Sequence, residues 1–448
     1  YIESTGSWKT ILIGGLGYGG KSYYALDITN PDLPTHLFTI NNDVTNKVVE
    51  YWDASGNKTS WPYATASGTS IDFSKLGDTW SRPVIMLLPH ISGTQKQKWV
   101  AVFGGGYAGG TTTGYGPYVF AIDLEPNASS SPISTGGQLL SGFPVPISSI
   151  AGTSQIPNGV TAHLTVITND GTSMANYYGG IAYFTDLQGQ LWKLDLSKIN
   201  LTDANPASRT LSRLFFTESN LENDRFGFNQ LGSTVVQDAG SGINKVFHYF
   251  GTGDQTRIQR RTSDTASAVI NNRIYGVSDP DFPAVTVSSP NKSVGGGGVT
   301  SINSGAASCG VTSPWFADTC AKTGIPCGSL DNQKIVGRAN VFNKYVYFSS
   351  YRPDDPAAGS CSTTGVSRLI EIADLCSAGP KTSQVIGAGL ATAPAIDSKG
   401  NIYVGVSNMS ASTTLPTGSR DNIAKFTSSA PKSSGSVLFK SWREIKNQ

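Results

Sequence analysis

The chain has 448 residues, of which 14 % are charged, with a net charge of +2, 51 glycines and abundant short polar side chains. Such low charge and high glycine content point to an extracytoplasmic, loop-rich β protein. The scattered basic residues exclude a nucleic-acid-binding stripe, and no apolar run approaches the ~20 residues that a membrane-spanning helix needs.

The sequence opens on "YIESTGSWKT", without an initiator Met or the charged and apolar regions of a signal peptide, and is therefore expected to be a piece of a longer protein. Next comes "ILIGGLGYGG", in which Gly15, Gly17 and Gly20 fit the G-x-G-x-x-G of dinucleotide sites. That motif works by delivering a pyrophosphate to a helix N-terminus. Here "KSYYALDIT" follows, which is aromatic and β-branched strand chemistry with no helical stripe. The same arrangement recurs at Gly104, Gly106 and Gly109 of "VAVFGGGYAGG". Both are read as glycines of β-hairpin connections, which need positive φ.

A three-strand unit then repeats along the chain. Its clearest copy is "TAHLTVITNDG", "GGIAYFTDLQGQ" and "LWKLDLSK", the last two forming a hairpin that turns at 186–189. The other copies, in order, are an opening one ("WKTILIGG", "YYALDIT"), one ending on Asp123, one ending on Asp279, one ending on Asp374, and a last one beginning "ATAPAIDSKG". Six copies separated by long insertions predict an all-β fold, a quinoprotein-like β-propeller, with seven blades expected if the missing first strand of the opening copy is donated from upstream. "HLFTI", "SRLFFT" and "VLFKSW" are candidate fourth strands. Insertions near 41–80, 128–160, 280–333 and 409–422 are rich in Ser, Thr, Gly, Pro or Asn, and loops of this kind on a rigid scaffold are where binding resides. The whole of 1–448 reads as a single propeller domain.

The Asp residues that close the units (Asp27, Asp123, Asp195) repeat in equivalent places. They are read as structural, each bonding its own turn backbone, rather than as a catalytic set. Trp192 and Tyr23 occupy a repeated aromatic position and are read as packing residues between blades. His36, His90, His163 and His248 lie in no metal or triad spacing, and His248 alternates with apolar neighbours in a strand. Cys309, Cys320, Cys327, Cys361 and Cys376 avoid C-x-x-C spacing, which argues against zinc. Disulfides are expected instead, with Cys361 and Cys376 flanking one hairpin and Cys309 and Cys320 closing a surface insertion.

Four segments carry a narrower likeness. "WKTILIGGLGYGGKSYYALDITNP" resembles the W-x-T-x-L-V-G-G-x-G-x-G-G-x-x-x-Y-A-L-D-V-T-x-P segment of type IV pilus biogenesis and adhesion proteins of the PilY/PilC class. "GDTWSRPVI" at 77–85 and "TDLQGQLWKLDLS" at 185–197 resemble that family's T-x-S-x-P-x-V and G-D-L-x-G-x-L-W-K-x-D-L, and "SWREI" at 441–445 resembles its closing sequence. The motif "A-x-x-I-D-x-x-G-N-I-Y-V-G" at 393–405 is similar to the blade motif of quinoprotein-type propellers.

The resemblance implies the C-terminal propeller of a large exported protein at the bacterial cell surface. It implies a non-enzymatic scaffold that supports pilus assembly, opposes retraction and mediates adhesion. The implied partners are minor pilins at the pilus tip and a host receptor or abiotic surface. The family also has a calcium loop, D-x-D-x-D-G-x-x-D, used to switch between extension and retraction. The equivalent place here reads "ITNDGTSMANYYGG", leaving Asn169, Asp170 and Asn176 as the loop elements. A calcium site wants six to eight oxygens with several carboxylates. One carboxylate makes an Asn-Asp-Gly turn the first reading and a calcium site the second. No other cofactor is expected. A quinoprotein-type dehydrogenase, which would need a central cofactor pocket, a calcium ligand set and often the vicinal cysteine pair that this chain lacks, is the chief alternative, and the other is a scaffold propeller without an adhesive role.

Overall fold

The computed structural model describes residues 1–2, 5–92, 95–109, 114–125, 136–152, 156–168, 179–196, 210–221, 223, 225–237, 242, 244–256, 272–303, 313–319, 333–353, 365–374, 382–408, 418–419 and 422–428. Runs rich in β-branched and aromatic residues, bounded by Gly and Asp, form the strands. The first sheet is an antiparallel meander of β1 (Ile11–Gly15), β2 (Ser22–Asp27), β3 (Thr35–Asp43), β4 (Val48–Trp52) and β5 (Lys58–Pro62), followed by a single helical turn, α1 (Tyr63–Ala66). The second comprises β6 (Val84–Ser92), β7 (Gln95–Gly104), β8 (Tyr118–Asp123) and β9 (Val145–Pro146). In the third, β10 (Thr165–Ile167), β11 (Ile181–Thr185), β12 (Gln190–Asp195) and β13 (Leu211–Phe216) lie side by side. The fourth is built from β14 (Gly232–Gln237), β15 (Asn244–Gly251) and β16 (Arg273–Asp279). The chain then passes through β17 (Lys292–Ser293) and β18 (Thr300–Ser301) before β19 (Trp315–Asp318) pairs with β16. β17 adds in parallel to β13, and β18 in parallel to β19. The last sheet holds β20 (Lys334–Ile335), β21 (Asn340–Phe342), β22 (Tyr345–Arg352), β23 (Val366–Ala373), β24 (Thr382–Ala391), β25 (Ala395–Ile396), β26 (Asn401–Asn408) and β27 (Ile423–Thr427).

All six repeat copies are therefore β-sheet, and the described chain is nearly all β. The 186–189 hairpin has the expected register, with Ile181 opposite Asp195 and Phe184 opposite Trp192, and Gly189 takes φ 72° in its turn. "HLFTI" and "SRLFFT" lie in the fourth-strand positions β3 and β13, whereas "VLFKSW" lies outside the described residues.

Two stretches read as insertions carry strands, and one further strand lies between repeat copies. Residues 41–80 carry the end of β3 together with β4, β5 and α1, so the first sheet grows outward by two further strands. Residues 280–333 supply β19, the fourth strand of its sheet, which is too short to stand out in a Ser- and Gly-rich context. β24, "TSQVIGAGLA", lies between two of the repeat copies, and two glycines interrupt its apolar pattern. Its first part pairs with β23, and past a bulge it pairs with β26, so that one strand serves two adjacent copies and fuses their sheets.

The sheets pack neighbour on neighbour. Val100, Ala101, Val102 and Phe103 of β7, and Val119 to Ile122 of β8, are buried at every successive position, so both faces of this sheet are covered. One core joins the first three sheets, in which Tyr23, Phe103 and Phe120 stack with centroids 4.3 and 5.7 Å apart. A second joins the third and fourth sheets, and a third joins the fourth to the last. Tyr23 also donates its hydroxyl to the Ser81 carbonyl at 2.6 Å, and Trp192 is buried, as expected of blade-packing aromatics. This serial contact between sheets is the radial packing of a propeller.

Of the three closing Asp residues named above, Asp27 and Asp123 bond their own turns, and Asp279 does the same in the next copy. Asp27 accepts the Thr29 N–H, Asp123 the Glu125 N–H and Asp279 the Asp281 N–H. Asp27 and Asp123 also pair with Lys9 and Lys98, one strand back, which leaves them saturated as structural groups.

Candidate functional site

One face of the ring is assembled from two kinds of segment: those leading into the first strand of each copy, and the loops between its second and third strands. Backbone hydrogen bonds weave them together. Gly77 N–H donates to Gly105 O, Leu187 N–H to Gly159 O, Gly253 N–H to Phe226 O, and Ile335 N–H to Thr252 O. The two glycine motifs belong to this weave. Gly17 (φ 57°) bridges to Thr79, and Gly106 (φ 84°) lies so close to Asp78 that a Cβ there would sit 1.9 Å from its carbonyl oxygen. Neither motif precedes a helix; each delivers a tyrosine. Tyr18 and Tyr107 meet Trp80 with centroids 4.4 and 6.3 Å away, and Trp80 in turn meets Phe228 at 6.3 Å. Burial raises the Tyr18 phenol, with further contributions from Tyr107, Asp254 and Asp78.

Inside this aromatic rim lies a cavity of about 480 Å³, within the ~300–1,000 Å³ range of small-ligand sites. Its wall is drawn from lead-in segments of five successive copies: Arg82 before β6, His163 before β10, Gln230 before β14, Arg338 before β21 and Ala393 before β25. Only the axis of a propeller is shared by so many blades. A second cavity of about 380 Å³, between β10, β14 and β21, adjoins it through Gln230 and Arg338.

The axial wall is basic and polar, with no carboxylate among its lining residues. His163 Nδ1 accepts the Arg82 backbone N–H at 2.6 Å, which leaves Nε2 as the protonated nitrogen of a neutral ring. Burial, with Arg82 and Arg338 nearby, pushes this imidazole down to about 4. The exposed Arg338 guanidinium touches Gln230 Oε1 at 3.4 Å, and the Arg82 guanidinium is exposed. In the same wall the Trp80 Nε1 and Thr161 Oγ1 atoms are buried without a hydrogen-bond partner.

The segment "GDTWSRPVI" divides its labour by position. Thr79 Oγ1 accepts the Leu16 N–H and Ser81 Oγ donates to Ala162 O, tying neighbouring copies together, while the intervening Trp80 and Arg82 face the cavity. "TDLQGQLWK" is a second organising centre. The buried Asp186 carboxylate accepts from Asn158 Nδ2 (3.0 Å), Gln190 N (2.9 Å), Gln190 Nε2 (2.7 Å) and Trp192 Nε1 (2.8 Å). Gln188 and Gln190 donate to carbonyls of Ile156 and Ser148, so this turn holds the described end of the 128–160 insertion on the face.

The axial residues were not singled out as a site from sequence, although their shared place two residues before each first strand, in "WSRPVI", "TAHLTV" and "VGRANV", was a usable signal. The loop residues Asn169, Asp170 and Asn176 lie outside the described residues, as do Cys309, Cys320, Cys327, Cys361 and Cys376. Among the described residues no group of three His, Cys, Asp or Glu side chains could hold a metal ion. His248 is fully buried, with Nδ1 2.8 Å from Ser233 Oγ and its ring 4.0 Å from that of Tyr183. It is a packed strand residue.

Comparison with known proteins agrees with this architecture. The family model described as PilY1 beta-propeller domain matches residues 2–306. The type IV pilus biogenesis factor PilY1 of Pseudomonas aeruginosa (strain PAO1) is 26 % identical over 204 residues, 46 % of this chain and 13 % of that protein. A PilY1 homolog of Xylella fastidiosa is 27 % identical over 192 residues, 43 % of this chain and 10 % of its own length. The match thus spans a small part of these relatives. The crystal structure of the Pseudomonas aeruginosa PilY1 C-terminal domain superposes with a TM-score of 0.54 at 17 % identity, covering 91 % of this chain and 80 % of that one, a likeness of fold. Since the family model spans more than half of the sequence, and the sheets pack as a propeller's blades do, this chain belongs to the PilY1 beta-propeller domain family.

Proposed function

We propose that this propeller works in type IV pilus biogenesis at the bacterial cell surface, as a non-enzymatic scaffold within a larger exported protein. In this reading it supports pilus assembly and opposes retraction through contacts with minor pilins at the pilus tip. It also mediates adhesion to a host receptor or an abiotic surface. The observation that carries the proposal is the family match over residues 2–306, together with the pilus biogenesis role in the names of the matched relatives. A propeller alone specifies no function. What makes a binding scaffold reasonable here is a rigid ring that presents glycine-rich, aromatic loops on one face.

The test is genetic. A host strain lacking this segment is expected to carry fewer surface pili and to lose twitching, with pili partly restored when the retraction motor is removed as well. Normal pilus number, twitching and adhesion in the deletion strain would overturn the reading.

A further inference from the structure

The axial cavity has the chemistry of a ligand site that the pilus reading does not use. Two exposed guanidinium groups, Arg82 of the second copy and Arg338 of the fifth, line it, and no carboxylate shares the wall. Two acidic groups near the aromatic rim are engaged elsewhere: Asp78 pairs with Lys21 at 2.7 Å, and Asp254 accepts from the Thr256 N–H and hydroxyl. Planar guanidinium forks match a carboxylate in geometry and charge. His163, held neutral with Nε2 as donor, adds a hydrogen bond without further charge.

The same wall also holds acceptors, which a bare anion could not use. Asn229 and Gln255 each donate their amide N–H to the Ile335 carbonyl, at 3.1 and 3.0 Å, leaving both amide oxygens open. Thr161 is 2 % exposed and its hydroxyl has no partner, an arrangement that costs stability unless something fills it. The unpartnered Trp80 indole N–H awaits an acceptor, and Trp80 with Phe228 provides apolar ring surface. A ligand that satisfies all of these carries a negative charge, several hydroxyls and an apolar face.

We propose that the axial cavity binds a carboxylate-bearing sugar, its carboxylate held by Arg82 and Arg338, its hydroxyls by Thr161, Asn229 and Gln255, and its ring against Trp80 and Phe228. This inference does not depend on the pilus assignment.

Calorimetry on the chain with sodium glucuronate, glucose, sodium acetate and sodium sulfate tests it. Saturable glucuronate binding at millimolar affinity or better is expected, with glucose, acetate and sulfate each at least about tenfold weaker, as loss of a charge-assisted or several neutral hydrogen bonds implies. The Arg82→Gln/Arg338→Gln double variant should lose about tenfold or more in glucuronate affinity. Because both side chains are exposed, its thermal midpoint should match the parent's. Arg338→Lys, which keeps the charge and loses the fork, should fall between parent and double variant. Absence of saturable glucuronate binding, or binding undiminished in the double variant, overturns the proposal. Equal binding of glucose, acetate or sulfate overturns it too, the latter two by showing an unselective anion hole.

Discussion

At the scale of single residues, the most instructive group is Asp186. Burial pushes its carboxyl up to about 6, against the four donors from Asn158, Gln190 and Trp192 that favour the charged form. An amide in its place would turn an NH2 group toward donors that need an acceptor. Asp186→Asn is therefore expected to destabilise the fold by about 1–3 kcal/mol, read from the urea midpoint, despite near-identical shape. A smaller loss would mean that the surrounding turn relaxes around the amide. The 168–176 stretch carries a second prediction at this scale. With Asp170 as its one carboxylate it should show no micromolar calcium affinity, at most the ~10⁻⁴ to 10⁻³ M typical of extracellular modules. Calorimetry beside an Asp170→Ala variant decides it, and micromolar binding that the variant loses would refute the expectation.

Between elements, the third and fourth sheets are fastened by a buried polar cluster. Lys193 of β12 pairs with Asp279 at the end of β16 at 2.6 Å, both side chains wholly inaccessible, and also donates to the Ala284 carbonyl at 2.6 Å. Tyr183 of β11 donates to the same Asp279 carboxylate at 2.8 Å and lies against His248 of β15. A buried pair of this kind costs a great deal to break by halves, because one desolvated charge remains. Lys193→Met should destabilise by about 3–5 kcal/mol, and adding Asp279→Asn should recover a substantial part of that loss. Chemical denaturation of both variants reads this. A double variant as unstable as the sum of its singles would show that the two groups act independently.

The whole molecule is expected to have an unusual response to acid, because its shifted groups oppose one another. Burial holds His248 down at about 3 and His163 at about 4, below the ~6.5 of an unfolded chain. The native state therefore binds fewer protons than the unfolded state there, and both histidines cost stability as pH falls below ~6.5. Burial raises Asp123 and Asp186 to about 6, above the unfolded ~3.9. They contribute stability that is fully present below ~3.9 and lost as pH rises through about 6. Between roughly pH 4 and 6 two groups of each kind offset each other, so stability should be nearly flat. Below ~4 the aspartates no longer compensate. Asp27, which burial raises but Lys9 and Thr29 hold down at about 2, joins His248 in favouring unfolding, so stability should then fall steeply. Denaturant midpoints measured across this range check the shape, and a steady decline from neutrality to pH 4 would contradict it.

How much of this was readable in advance follows from the range of the forces involved. Strand chemistry, the glycine turns and the closing aspartates are local: Asp27 bonds a residue two places on, and Phe184 opposite Trp192 follows from a four-residue turn. Repetition of such local signals was enough to identify an all-β propeller, and the resemblance of a few motif segments pointed to its family. β4, β5, β19 and β24 escaped because their patterns are short or broken by Gly, and only packing against an existing sheet makes strands of them. The axial cavity escaped for a stronger reason. Arg82, His163 and Arg338 are separated by most of the chain, and their shared place two residues before a first strand becomes a common wall only when the sheets are arranged around one axis. Closing the sheets around one axis brings them together, since radial packing places the same step of every copy at the centre; the sequence determined the blades, and the tertiary structure alone decided what the blades surround.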